Sequence, residues 1–312
     1  AGTGWIYQSN GSLAITSPVS APNFILETGT LSGYGALDIS GTFEWRSGTM
    51  RGLGSTNIGP GGTLAITGGS TKRISQRTLS NAGTATWSGN SDVRVANGAD
   101  IRNLSGGTFD VQVNRNFVYD GGPISTFYNA GTFIKSAAGG SFKFDKTDVL
   151  NSGILQIAAG QTFIFTGESL HNEPTGIIRG TGTLDVGSVL FTNSGTINPG
   201  SSTGILNIQG NLSQYPTGVI DISIAGMTPG EQFDQLAVSG TLELDGSLYL
   251  HLLDNFEPLL EDVFSVITCG SLTGEFQGFS LPVMPNDLGW DVQYQDKAVV
   301  LEVIHAAPDL SL

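Results

Sequence analysis

The sequence predicts an all-β protein, a right-handed parallel β-helix (a β-solenoid) of about ten or more turns of roughly 22 residues, closed by a C-terminal β cap. Two observations predict this fold. A short phrase of Gly, a β-branched residue and an apolar residue recurs ten times at a nearly regular interval, which is typical of repeat architectures. The residues after each Gly alternate between apolar and polar, as the two faces of a strand require.

The ten copies of the phrase align in columns. One place after the Gly stands Thr in seven copies, Ile in two and Val in one, and two places after it every residue is apolar. The next column is mostly polar, and the one after it is apolar except at Lys135, Gly180 and Pro199. The phrases begin at Gly41, Gly62, Gly83, Gly107, Gly131, Gly153, Gly176, Gly195, Gly218 and Gly240.

Each repeat is long enough for about three short strands and their corners. Strands in successive coils then stack in parallel, and the crossover rule favours a right-handed path. The sequence divides into an N-terminal cap with an irregular first coil (1–32), the parallel β-helix (33–253), a β cap ending in an antiparallel hairpin (254–305) and a tail or linker (306–312).

Aromatic residues recur at the same places and indicate the core. Trp45 and Trp87 stand two repeats apart in one inward column. A second strand with inward aromatics is echoed one repeat later, and its four rings are expected to stack inside the solenoid. These are Phe142, Phe144, Phe163 and Phe165.

Asparagine also recurs, two places before the Gly. Stacked Asn side chains at a corner satisfy turn backbone, so the sequence predicts an Asn ladder. Its members are Asn81, Asn129, Asn151 and Asn193.

Charge is scarce and uneven. Charged residues make up 13% of the chain; residues 1–180 hold 12 bases and 11 acids, whereas residues 181–312 hold one base, Lys297, and 16 acids. Phosphate binding needs clustered Lys and Arg, so nucleic acid is not expected as a partner. No apolar run reaches the length of a membrane span, so membrane insertion is not expected either. The single Cys269 is expected to be a buried structural thiol.

Two groups of carboxylates are the candidate metal or catalytic residues. Asp221 and Glu243 stand one repeat apart in one predicted outward column, with Asp245 close by, which would suit a retaining glycosidase pair or a calcium site. Two solvated carboxylates on an acidic face are the favoured explanation, because no base lies between Arg179 and Lys297 to bind an acidic sugar or act as a lyase base. The second group sits beside the cap without a known calcium-loop spacing. It comprises Asp254, Glu257, Glu261 and Asp262.

The amino-acid sequence of the repeats resembles that of a known class of proteins. The segment from Gly41 to Met50, the Asn-x-Gly-Thr phrases, and the passage from Asn198-Pro199-Gly200 through Phe233-Asp234-Gln235-Leu236 to Gly274-Glu275-Phe276 are similar to the Gly/Asn/Thr-rich repeats of secreted bacterial surface proteins. These repeats resemble the passenger stalks of autotransporters and two-partner-secreted adhesins. Over residues 33–305, the resemblance implies a β-helical stalk, adhesin or fibre at the cell surface whose C-terminal part is a folding cap.

The sequence therefore favours a non-enzymatic, extracellular or bacterial cell-surface protein with a structural or adhesive role and no cofactor. Homotypic end-to-end or lateral assembly and a cell-surface glycan are the expected partners. The first residue, Ala1, suggests a processed or excised chain. The rival hypothesis is a polysaccharide lyase or hydrolase, or a glycan-binding β-helix protein.

Overall fold

The computed structural model describes residues 4–137, 139–200 and 202–306, in which strands are joined by turns and no helix occurs. Contacts divide the chain into two units, Ala1–His171 and Asn172–Leu312. The strands of the first unit, the last of which ends at the boundary, are β1 (Trp5–Gln8), β2 (Ser12–Ala14), β3 (Val19–Ala21), β4 (Asn23–Leu26), β5 (Thr30–Ser32), β6 (Ala36–Ile39), β7 (Thr42–Trp45), β8 (Gly48–Arg51), β9 (Ser55–Ile58), β10 (Thr63–Ile66), β11 (Lys72–Ser75), β12 (Thr78–Asn81), β13 (Thr84–Trp87), β14 (Val93–Ala96), β15 (Asp100–Asn103), β16 (Thr108–Val111), β17 (Phe117–Tyr119), β18 (Ser125–Asn129), β19 (Thr132–Lys135), β20 (Gly140–Phe144), β21 (Thr147–Asn151), β22 (Ile154–Ile157), β23 (Gln161–Phe165) and β24 (Ser169–Asn172). Those of the second unit are β25 (Ile177–Gly180), β26 (Thr183–Gly187), β27 (Leu190–Asn193), β28 (Thr196–Pro199), β29 (Ile205–Gly210), β30 (Leu212–Gln214), β31 (Val219–Ile224), β32 (Gln235–Leu244), β33 (Ser247–Leu252), β34 (Val263–Gly274), β35 (Gly278–Ser280), β36 (Leu288–Gln295) and β37 (Ala298–His305).

In the first unit every coil contributes three strands, and each strand pairs in parallel with the strand three positions along the chain. The first face runs β1, β4, β7, β10, β13, β16, β19, β22. The second runs from β2 to β23 and the third from β3 to β21 in the same steps. The predicted β-solenoid of about ten stacked turns is confirmed, with the short repeat period that such architectures have. Its right-handedness stays a prediction.

Parallel pairing begins in β1, within the segment 1–32 that the sequence assigns to an irregular cap. Phe24 pairs with Phe43, and their rings stack with centroids 5.4 Å apart. The period is obscured there because the paired residues Trp5 and Asn23 are less than one ordinary repeat apart, and because Pro22 stands where later coils have Gly.

The inward columns form the core, as predicted. Trp45 and Trp87 flank Ile66 in one register column, and both indoles are fully buried. The four phenylalanines predicted to stack inside do so, with Phe142 and Phe144 at 4.9 Å and Phe144 and Phe165 at 5.0 Å between centroids. These rings lie in one buried aromatic cluster with other phenylalanines. Its further members include Phe109, Phe117, Phe127 and Phe133.

Among the described residues of the first unit, three basic side chains are buried, and none of the three has a carboxylate partner there. Lys135, an exception in the apolar columns, keeps its inward place, and Nζ donates to the carbonyls of Ala137 and Gly139. Burial lowers the pKa of Lys72 to about 8 and that of Arg77 to about 10. These cations bind corner carbonyl oxygens, so they contribute little positive charge to the surface.

In the second unit, β25, β28, β31, β33 and β35 pair in parallel and form the first of its three faces. The other two faces converge, because the long strands β32 and β34 each span both of them. Parallel pairing thus continues beyond residue 253, the predicted end of the helix. The predicted hairpin is present: β36 and β37 pair antiparallel, and β37 also pairs antiparallel with β34. The expected tail, apart from residue 306, lies outside the described residues.

Candidate functional site

The two carboxylates expected to share an outward column lie on different faces. Asp221 is on β31 of the first face and is level with Tyr249 on β33. Glu243 is on the distal part of β32, level with Ser213 on β30. The placement predicted from the repeat period is therefore wrong, because the coil that starts at Val219 is longer than an ordinary repeat and its first residue pairs with Ser247.

The other candidate carboxylates make local contacts. Glu243 accepts a hydrogen bond from the Ser213 hydroxyl at 2.7 Å, and Asp245 accepts one from the Gly246 amide at 2.7 Å. In the group beside the cap, Asp262 accepts from the Leu259 amide at 2.7 Å, while Asp254 and Glu261 are in left-handed backbone conformations. Glu257 is exposed. Within the described ranges, no three His, Cys, Asp or Glu residues are grouped so that they could hold a metal ion.

Asp221 has a different neighbour from the one expected. His251 lies two places beyond Tyr249 on β33, and its Nε2 is 3.0 Å from Asp221 Oδ1. That oxygen is shielded from solvent, but the imidazole N–H is not aligned on it as a hydrogen bond. The imidazole is 54% exposed, so the pair contributes little to stability.

Asp234 is the buried carboxyl of this region. It is fully buried before β32, and it accepts hydrogen bonds from the Gly204 and Ser223 amides, each at 2.8 Å. Burial raises the pKa of Asp234 to about 7; the two amide donors oppose this shift, and the negative charge of Asp221 adds to it. Its geometry is that of a side chain joining two segments of backbone.

Sequence reasoning missed both His251 and Asp234 as neighbours of Asp221. The approach of His251 depends on the length of the coil between β31 and β33, which the repeat period does not give. Phe233, the residue before Asp234, forms an isolated antiparallel β-bridge with Ile224 at the end of β31. The chain between them therefore folds back on itself and places Asp234 beside β31. The available signal was a single acidic residue between Phe233 and the alternating apolar residues Leu236 and Val238 of the next strand.

The first coil presents an edge. Among the described residues β1 pairs with β4 alone, which leaves its other side without a strand. Its side chains are also uncovered: Trp5 is 51% exposed, Ile6 39% and Tyr7 54%, whereas Phe24 in the same inward column as Ile6 is fully buried. We call Trp5–Gln8 and its open side the β1 edge.

The second unit carries a groove on its outer surface, with a cavity volume of about 600 Å³. Strands β26, β29, β32 and β34 cross it. Every lining residue is uncharged; they are Thr183, Asn207, Ile208, Gln209, Ala237, Val238, Ser239, Thr268, Cys269 and Gly270. Contrary to the expectation of a buried thiol, Cys269 is partly exposed and lines this groove, and burial raises its pKa.

The chain matches no protein-family model and no curated protein sequence. The surfaces described above are therefore interpreted from their own chemistry. No helix in the described part of the chain is long and apolar enough to cross a membrane.

Proposed function

We propose that this chain is an extracellular structural or adhesive β-solenoid, a stalk or fibre-forming protein of the bacterial cell surface without catalytic activity. One observation carries the proposal: side chains repeated in successive coils bind one another. In the first unit, amide ladders, aromatic columns and parallel strand pairing link coil to coil. Such repetition gives stiffness with little charge, which is the physical requirement of a stalk.

We further propose that copies associate through the β1 edge, with a second copy of this edge as the occupant. Natural edge strands are usually protected by charged residues or Pro, and β1 contains neither. The first charged residue in the sequence is Glu27, which accepts a hydrogen bond from the Tyr7 hydroxyl at 2.9 Å and is paired with Arg46. The second unit, by contrast, has 17 acids and two bases, so an approach of two such surfaces is repelled.

Sedimentation velocity over a range of concentrations tests this association. Wild-type protein is expected to dimerise or polymerise as concentration rises, and Trp5→Lys to remain monomeric, because it places a charge on the edge. Tyr34→Lys is the matched control, since Tyr34 is 72% exposed in the turn between β5 and β6, outside the first face, and its replacement should leave association unchanged. Electron microscopy then distinguishes dimers from fibres. Monomeric wild-type protein at every concentration, or association equally strong in Trp5→Lys, would overturn the proposal.

The rival function, glycan cleavage, has one observation in its favour: the contact between Asp221 and His251 beside the buried Asp234. Depolymerisation of bacterial and algal glycans tests it. If a cleavage activity exists at this place, Asp221→Asn removes it while Glu243→Gln, on another face, leaves it intact. Cleavage that depends on Asp221 would replace the proposal of a protein without catalytic activity.

A further inference from the structure

The groove of the second unit contains a continuous row of side chains, with a depression at the small residue Ala237. Thr183 is in register with Asn207, Asn207 with Ala237, and Ala237 with Thr268, so the row crosses four neighbouring strands. Adjacent strands lie about 4.8 Å apart, and the row therefore offers one side chain at each such step. The small Ala237 leaves a depression between the two polar neighbours.

The polar groups of this groove retain hydrogen-bonding capacity. The side chains of Thr183, Gln209 and Thr268 make no hydrogen bond to another described residue, and the Asn207 amide has only a long contact, 3.5 Å, with the Gly182 carbonyl. Amides and hydroxyls that both donate and accept are suited to ligands rich in hydroxyl groups. The volume of about 600 Å³ is in the range of small-molecule sites.

The charges of the lining and of the surrounding unit restrict the class of ligand that the groove can bind. No lining residue is charged, while the unit that carries the groove has 17 acids and two bases. An anionic chain would approach against this potential and would find no Lys or Arg among the lining residues. The exposed Lys297, whose carbonyl accepts from the Cys269 amide, is not one of them. A neutral chain meets neither obstacle. The regular spacing of the row further favours an extended polymer whose hydroxyl groups recur from unit to unit.

We propose that this groove binds a neutral oligosaccharide chain, laid across β26, β29, β32 and β34. The row from Thr183 to Thr268 supplies hydrogen bonds, and Ala237 provides the space for a sugar ring. The site lies outside the β1 edge, so it does not depend on self-association. It would give a stalk protein an attachment to uncharged polysaccharide.

Isothermal titration calorimetry with four hexasaccharides tests the proposal: the neutral maltohexaose, cellohexaose and laminarihexaose, and the anionic hexagalacturonate. At least one neutral chain is expected to bind and the galacturonate to bind more weakly or not at all. Ala237→Tyr fills the depression and should weaken binding by about tenfold or more. The matched control is Ala65→Tyr, on an outward position of β10 between Glu44 and Thr86. Gln209→Ala, which removes an exposed amide, is the second variant should Ala237→Tyr fail to fold.

Cys269 provides a second readout, since it lines the groove and is the single cysteine of the chain. A bound neutral chain should slow the reaction of its thiol with a disulfide reagent, and Ala237→Tyr should abolish this protection by the sugar. Three results would each overturn the proposal: no binding by any neutral chain, tighter binding of the galacturonate, or unchanged binding by both groove variants. None of them bears on association through the β1 edge.

Discussion

Single buried amides connect one coil to the next. In the first unit Asn81 donates to Asn103 at 2.9 Å, Asn103 to Asn129 at 2.8 Å and Asn129 to Asn151 at 2.7 Å. In the second unit Asn172 donates to Asn193 at 2.6 Å, and Asn193 donates to Gln214 at 2.7 Å. The predicted Asn ladder is confirmed, with additional members. Asn103 and Asn172 escaped the pattern because they stand four places before the Gly, two more than the others.

Asn103 is the sharpest test of the ladder. It is 1% exposed, and its amide also donates to the Thr132 carbonyl at 3.0 Å. Asn103→Ala removes one hydrogen bond from the buried partner on each side, the Asn81 amide and the Asn129 carbonyl oxygen, so we expect a loss of about 2–4 kcal/mol in the free energy of unfolding. Chemical denaturation measures it. The control is Asn90→Ala, whose exposed side chain contacts Arg115 and whose loss should cost less than about 1 kcal/mol. Equal effects would contradict the ladder's role.

Asp234 predicts a pH dependence. Its pKa is raised to about 7 by burial, so the folded chain holds the proton more tightly than the unfolded chain does. This contribution to stability is complete below the ordinary pKa of Asp, about 4, and is lost as pH rises through about 7. We therefore expect the stability difference between wild type and Asp234→Ala to shrink as pH rises from 4 to 8. Denaturation at several pH values measures it, and a difference that grows with pH would contradict the assignment.

At the level of the strand and its corner, the repeated Gly is required by close approach. A Cβ at Gly131 would lie 2.1 Å from the Gly107 carbonyl oxygen, and one at Gly153 equally close to that of Gly131. The same oxygens accept the hydrogen bonds that start the next strand, as in Thr132 N to Gly107 O at 2.8 Å. The phrase is thus a signature of coil stacking.

Gly131→Ala should therefore displace backbone, and we expect a loss of about 3 kcal/mol or more. Gly69→Ala is the control, because nothing lies within 4 Å of its added Cβ and its backbone is not left-handed. Thermal unfolding compares the two variants. A Gly131→Ala protein as stable as Gly69→Ala would show that the corner can move aside.

The same constraint explains what the sequence could and could not predict. The stacking of the coils could be predicted because each coil requires a glycine at the same corner, and this glycine recurs at a nearly regular interval. The positions of the outward side chains could not be predicted in this way. Gly240 has the sequence of the repeated phrase, but it begins the part of β32 that pairs with β30 and β34 and lies outside the first face. The true successor of Gly218 on the first face is Gly246, whose phrase has Ser in place of a β-branched residue. Because this one coil is longer than the repeat period, the sequence assigned Glu243 to the wrong face and did not predict the contact of His251 with Asp221.

At the scale of the molecule, charge favours one mode of association over others. The chain has a formal charge of −14, and the second unit accounts for more than all of it. In the first unit, Lys72, Arg77 and Lys135 are buried and add little positive charge to the surface. Lateral contact between copies in register would bring acidic surfaces together, whereas contact between β1 edges brings together segments without charge.

This asymmetry predicts how self-association responds to salt. Copies that meet at uncharged β1 edges still carry like net charge, and salt screens that repulsion, with a Debye length of about 10 Å at 0.1 M and about 3 Å at 1 M. We expect association to strengthen between low and high NaCl, measured by sedimentation velocity, with Trp5→Lys monomeric throughout. Association that weakens with salt would instead indicate complementary charged surfaces, such as the acidic second unit against the exposed bases Arg51 and Arg94 of the first.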